Sequence, residues 1–125
     1  MHTPITIVIV EDDPLITQFL SEVLSDEGYT VRAYPDGRSG LAAIIAQPPV
    51  LVLLDLNLPS MAGEDVLVRI RQQLGAALPV VIMTASTQRQ NWAAQGATAF
   101  LAKPFDVEEL LRCVARYAAG GDDSS

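Results

Sequence analysis

The sequence predicts an α/β protein built on a five-stranded parallel sheet with helices on both faces. Three observations carry this reading. Short apolar runs rich in β-branched residues alternate five times with stretches whose apolar residues recur at helical spacing. Two of the runs, Ile5-Thr-Ile-Val-Ile-Val10 and Val50-Leu-Val-Leu-Leu54, are nearly continuous, as in strands buried on both faces. The strong strands also stop on polar residues, where an open α/β sheet gathers functional groups outside its strand ends.

Taken in order, the first strand is Ile5–Val10. Glu11-Asp12-Asp13-Pro14 follows, with Asp13 a candidate N-cap and Pro14 suited to a first helical turn. Leu15, Ile16, Phe19, Leu20, Val23 and Leu24 then repeat with helical spacing until Gly28 closes the helix. Thr30–Tyr34 reads as a second, weaker strand, and Pro35-Asp-Gly37 turns into a helix carrying Leu41, Ala42, Ile44 and Ile45. Pro48-Pro49 ends that helix and delivers the chain to Val50–Leu54, which stops on Asp55. Asn57 and Pro59 open a loop through Met61-Ala-Gly63, because proline has no donor for a central ladder.

A third helix spans Glu64–Leu74 with Val66, Leu67 and Ile70 inward. Pro79 precedes a fourth strand, Val80–Met83, ending on Thr84-Ala85-Ser86. Residues 87–95 form a poor amphipathic helix whose large apolar group is Trp92, and Gly96 breaks it. Ala97–Ala102 is the fifth strand and ends on Lys103-Pro-Phe105. Asp106 or a neighbour caps a last helix with Val107, Leu110, Leu111, Val114 and Ala118 inward. Residues 1–119 are expected to form one domain, and Gly120–Ser125 has the composition of a disordered tail or linker.

The 125 residues suffice for one real core. No run of 18 apolar residues suggests a membrane span, and Met1-His-Thr-Pro4 lacks signal-peptide character, so a cytoplasmic location is expected. A net charge of −7 and a pI near 4.4 disfavour nucleic acid and anionic membranes and favour basic proteins or cations as partners. Cys113, the single cysteine, excludes an internal disulfide, and no Cys/His spacing suits zinc. It sits beside an apolar stripe and reads as a small inert hydrophobe.

The chemistry lies just beyond the strands: Asp12 and Asp13 after the first, Asp55 after the third, Thr84 after the fourth and Lys103 after the fifth. A parallel sheet brings these ends to one edge. Three crowded carboxylates repel by roughly 4 kcal/mol per pair at about 4 Å and an effective dielectric near 20, so the cluster needs a cation. Carboxylate oxygens, a loop carbonyl from Asn57 and water describe a magnesium site. With Lys103 as a positive charge and Thr84 as a hydroxyl donor, the set suits phosphoryl transfer onto Asp55. No phosphate-cradling GxxxxGK[ST] loop is present, so the donor must come from outside.

Glu11-Asp12-Asp13, Asp55-Leu-Asn-Leu-Pro-Ser-Met-Ala-Gly63, Met83-Thr-Ala85 and Lys103-Pro-Phe105, in this order, resemble the receiver domain of two-component response regulators. The resemblance covers residues 5–118. It implies a doubly wound, flavodoxin-like sheet of order 2-1-3-4-5, with Asp55 as phosphoacceptor. It further implies magnesium on Asp12, Asp13, Asp55 and the Asn57 carbonyl, phosphoryl oxygens on Thr84 and Lys103, and a switch through Thr84 and Phe100. The implied donors are histidine kinases, histidine phosphotransfer proteins or small phosphodonors. A downstream protein target, a fused effector or a homodimer would carry the output. Such a protein catalyses its own phosphorylation and dephosphorylation and turns over no metabolite. Thr84 and Lys103 are about three residues closer than in most receivers, nearly one helical turn, so the helix over 87–95 is expected to be short.

Blander roles exist for each residue. Asp12 and Asp13 would also suit helix capping, Thr84 a plain strand end, Lys103 the surface, Phe100 the core, and Trp92 either core or a partner contact. Three rival functions fit these residues less well. An interaction module that never carries phosphate would not need Asp55, Thr84 and Lys103 together. A flavin binder would need a neutral loop where Glu11-Asp-Asp13 stands. A magnesium phosphatase would need a second carboxylate where Asn57 stands.

Overall fold

The computed structural model describes residues 4–85 and 96–118. In chain order the elements are β1 (Thr6–Val10), α1 (Pro14–Asp26), β2 (Thr30–Tyr34), α2 (Gly37–Ala46), β3 (Leu51–Asp55), α3 (Gly63–Leu74), β4 (Val80–Thr84), β5 (Ala99–Ala102) and α4 (Val107–Ala118). The strands are parallel and lie in the order β2-β1-β3-β4-β5. The sheet order is as expected, and so is the alternation of strand and helix among the described residues. The helix expected over 87–95, Trp92, His2 and the tail from Ala119 onward lie outside the described residues.

Side chains alternate across a strand, so the sheet divides the apolar residues into two cores. Ile7, Ile9, Leu51, Leu53, Val81, Met83 and Leu101 pack with Leu20 and Leu24 of α1 and with Leu110 and Val114 of α4. Val8, Val10, Val52, Leu54, Val80 and Ile82 pack on the other face with Ile44 of α2 and with Val66, Leu67 and Ile70 of α3. Every residue of β3 is buried, which explains its unbroken apolar run. At about 1.5–3 kcal/mol for each fully buried Leu, Ile or Val, this central strand anchors the fold and fixes Asp55 at its end.

Helix starts follow local chemistry. Asp13 caps α1 by accepting the Leu15 N–H at 2.9 Å, and Pro14 takes the first turn. The helix closes at Gly28 with the paired bonds Tyr29 N–H to Leu24 O and Gly28 N–H to Ser25 O, a Schellman ending. Asp106 and Glu109 cap α4 reciprocally, each carboxylate accepting the other's backbone N–H at 2.8 and 3.0 Å. The boundaries differ slightly from expectation: Ile5 and Val50 precede their strands, and β5 begins at Ala99 rather than Ala97.

One polar group ties the sheet edge opposite the strand C-termini. Arg71 of α3 donates to Gly96 O at 2.8 Å, Leu78 O at 2.7 Å and Gly75 O at 3.1 Å. Burial lowers its pKa from the usual guanidinium value. Arg71→Ala should cost about 2 kcal/mol, since hydrogen bonds to a charged donor are worth about 1.5–3 kcal/mol and their loss leaves partly buried carbonyls unpaired. A urea unfolding midpoint within error of the parent protein would refute this.

Candidate functional site at the carboxyl edge of the sheet

Each functional side chain arrives at the edge on a different strand. Glu11 follows β1 directly, and its backbone continues the ladder to Tyr34 O. Asp55 is the last residue of β3, Thr84 the last of β4, and Lys103 follows β5. Glu11, Asp55 and Thr84 are the buried polar or charged residues among those described. Asp12 and Asn57 are exposed beside them.

Carboxylate oxygens of Glu11, Asp12 and Asp55 lie within 4.8 Å of one another. The Lys103 ammonium reaches into this cluster, 2.9 Å from Glu11 Oε1 and 3.5 Å from Asp55 Oδ1. Burial raises the Glu11 pKa, with the charge of Asp55 adding to it, and the Lys103 and Asp13 hydrogen bonds only partly oppose this. For Lys103 the balance is reversed: burial disfavours the ammonium, but Glu11 and Asp55 outweigh it and the pKa is raised. One ammonium thus stands against three carboxylates, and a hard divalent cation fits the remaining charge and the all-oxygen donor set.

The structure brings Asp12, Asp55 and Lys103 together with Glu11. The Asp13 carboxylate accepts the Leu15 N–H as the α1 cap, and the acid beside Asp12 in the cluster is Glu11. Glu11 is held there by the Asp13 N–H on Oε2 at 3.1 Å and by the Thr17 hydroxyl on its carbonyl at 3.3 Å. The signal was present in the chain. Asp13 directly before Pro14 is an N-cap before an N1 proline, so the acids free to face the site are the two nearer the strand.

Asn57 stays close through its backbone N–H, which donates to Asp55 Oδ1 at 3.4 Å. Thr84 is buried, and its carbonyl accepts the Lys103 N–H at 2.8 Å, drawing β5 alongside β4 at the site. Phe100 is half-buried opposite Ile82 in the ladder and packs on the α2 and α3 face of the sheet. Cys113 is half-buried against the other core, and burial pushes its thiol pKa up.

Residues 7–115 match the family described as response regulator receiver domain. The chain belongs to this family. The receiver is 35% identical over 111 residues to the probable transcriptional regulatory protein TcrX of Mycobacterium tuberculosis, covering 86% of this chain and 47% of that protein. It therefore spans about half the length of the curated relatives it matches. Its fold superposes with a TM-score of 0.90 on a CheY-like receiver from Methanospirillum hungatei, at 26% identity over 98% of this chain and 100% of that one. The receiver domain of the sensor histidine kinase PA1611 from Pseudomonas aeruginosa is also similar. It matches with a TM-score of 0.85 and 28% identity over 94% of this chain and 99% of that one, and its structure has magnesium in the active-site cleft. Glu11, Asp12 and Asp55 form the acidic pocket of this receiver, consistent with cation-dependent phosphorylation of an aspartate. A receiver is a signalling domain rather than a conventional enzyme. No helix among the described residues is long and apolar enough to cross a membrane.

Proposed function

We propose that this receiver accepts a phosphoryl group on Asp55 from a histidine kinase or a histidine phosphotransfer protein, with magnesium as the cation. The observation that carries the reading is the three-carboxylate cluster with Lys103 across it. Asp12, Asp55 and the Asn57 carbonyl hold the ion, with Glu11 in the part expected of Asp13. Magnesium, when bound, offsets the negative charge of the carboxylates and of the phosphoryl oxygens during transfer.

The chain's own residues do the rest. Asp55 supplies the nucleophilic oxygen from the end of a rigid, fully buried strand. Lys103 meets the phosphoryl oxygens with an ammonium that its neighbours keep charged, and the Thr84 hydroxyl provides a further donor. Beside the site lies a groove of about 380 Å³, lined by Ile16, Phe19, Ala85, Pro104 and Phe105. Leu15 is 76% exposed on the neighbouring first turn of α1. An apolar surface beside a nucleophile favours a protein donor over a nucleotide. The signal passes through Thr84 and Phe100 to a protein target or fused effector.

Acetyl phosphate with Mg²⁺ should add one phosphoryl group, read by intact mass, and EDTA should prevent it. A full adduct in EDTA would remove the cation from the account, and no adduct with any phosphodonor would remove the function.

The cation ligands can be separated by titrating Mg²⁺ and following the Asn57 amide by NMR. Asp12→Asn should weaken binding by about tenfold or more, as loss of a coordinating charge does. Asp13→Asn should leave it nearly unchanged, because Asn is as good an N-cap. Equal losses would return Asp13 to the ligand set. Binding should also weaken as pH falls through the raised Glu11 pKa, which lies above the ordinary 4.5. Without the ion, the folded protein holds that proton more tightly than the unfolded chain. Glu11 therefore favours folding below its ordinary pKa, and that contribution is lost as pH rises through the raised one.

A further inference from the structure

We infer that Ser60 and Asp36 form a clamp that positions the loop between β3 and α3, and with it the Asn57 carbonyl, for cation binding beside Asp55. The inference rests on the phosphoacceptor reading above. Ser60 does not touch the site; it is a positioning residue five places beyond Asp55.

Its backbone is the first indication. Ser60 has φ +66°, the one non-glycine residue with a positive φ among those described. A residue with a Cβ is strained there, and such a conformation persists only where its surroundings impose it. The surroundings are explicit. The Ser60 hydroxyl donates to Asp36 Oδ1 at 3.2 Å and accepts the Arg38 N–H at 3.2 Å. The same Asp36 oxygen accepts the Ser39 N–H at 2.8 Å as the N-cap of α2. These donors, the Ser39 N–H foremost, hold the Asp36 carboxyl below its ordinary pKa.

Backbone contacts repeat the link. The Gly37 N–H donates to Pro59 O at 3.2 Å, and a Cβ on Gly37 would run into the Met61 carbonyl oxygen. No other residue type lets α2 come this close to the loop. The helix is itself fixed, since a Cβ on Gly40 would stand 2.8 Å from the Val10 side chain of β1. At its far end the loop is pinned by the Gly63 N–H on Leu56 O at 3.0 Å. Leu56–Ala62 is thus held at Leu56 by the start of α3 and at Pro59 and Ser60 by α2, with the exposed Asn57 between these anchors. A metal ligand contributed by a backbone carbonyl depends on such support, as it has no rotamer with which to adjust.

The chemistry of the variants separates positioning from folding. Ser60→Gly keeps the left-handed backbone and removes the hydroxyl. Asp36→Ser keeps an N-cap for α2 and removes the partner. Ser60→Asn tolerates the same φ and offers both a donor and an acceptor, so it should restore the clamp.

In metal-free protein, amide exchange at Asn57, Leu58 and Met61 should quicken in Ser60→Gly and Asp36→Ser, while the urea midpoint stays near that of the parent. The Mg²⁺ concentration for half-saturation, read from the Asn57 amide by NMR, should rise by about tenfold, the low end for a group acting on a ligand without touching the metal. The rate of phosphoryl uptake at saturating Mg²⁺ should fall by less than that midpoint moves, and Ser60→Asn should return both quantities toward the parent values. Unchanged loop exchange and an unchanged Mg²⁺ midpoint in both variants would overturn the clamp, as would a lowered urea midpoint with no change in either. Were the parent protein to take up no phosphoryl group, the functional reading would fail, and the metal-free exchange would still decide the clamp.

Discussion

Asp55→Asn should take up no phosphoryl group under conditions in which the parent protein takes up one. Asparagine keeps the shape of the side chain at the end of β3 but supplies no nucleophilic carboxylate oxygen. The change also tests the electrostatics, because the folded protein should survive it. Asp55 is 4% exposed and shares its site with two other carboxylates. Removing one charge relieves repulsions of roughly 4 kcal/mol each at about 4 Å and an effective dielectric near 20, against the loss of one attraction to Lys103. The net stability change of the metal-free protein should therefore be small or favourable. Loss of uptake with an undiminished urea midpoint supports the assignment; a full-mass adduct on the Asp55→Asn protein would place the phosphoacceptor elsewhere.

Gly63→Ala should be far more damaging than its one added methyl group suggests. A Cβ at Gly63 would run into the Asp55 carbonyl oxygen and stand 2.6 Å from the Leu56 Cα. Both are backbone atoms at the strand end that carries Asp55, so nothing nearby can turn aside. Overpacking of this kind costs about 1–3 kcal/mol, and a displacement of about 1 Å at a reacting group can slow a reaction by about a hundredfold. Uptake from acetyl phosphate should fall by that order, and the urea midpoint should drop as well. Gly75→Ala is the control. Gly75 has φ +81° and nothing within 4 Å of its missing Cβ. It should lose about 1–2 kcal/mol from the left-handed backbone alone and keep its uptake. Equal uptake in the two variants would mean that close packing of α3 on the end of β3 does not position Asp55.

Much of the molecule was legible in the chain because its information is local. The run Val50–Leu54 reads as a strand buried on both faces, and Leu51–Asp55 is the fully buried centre of the sheet, with Val50 exposed just before it. Asp13 before Pro14, Gly28 after the apolar stripe and Asp106 before Val107 announce helix ends through bonds that close within a few residues. The convergence of Asp55, Thr84 and Lys103 also followed, since parallel strands must end on one edge.

Tertiary structure decided which groups meet there. Glu11 rather than Asp13 faces the cluster, because the chain's exit from β1 turns one acid inward while the α1 cap claims the other. Lys103 lies nearer to Glu11 than to Asp55, a pairing across 92 positions that depends on β1 and β5 being placed in one sheet. The Ser60 contact with Asp36 and the two loops gathered by Arg71 are likewise invisible to periodicity. Local rules set backbone angles and the direction of a side chain from its own element. Contacts between elements depend on strand order, register and the distance at which helices settle on the sheet, and these are properties of the packed whole.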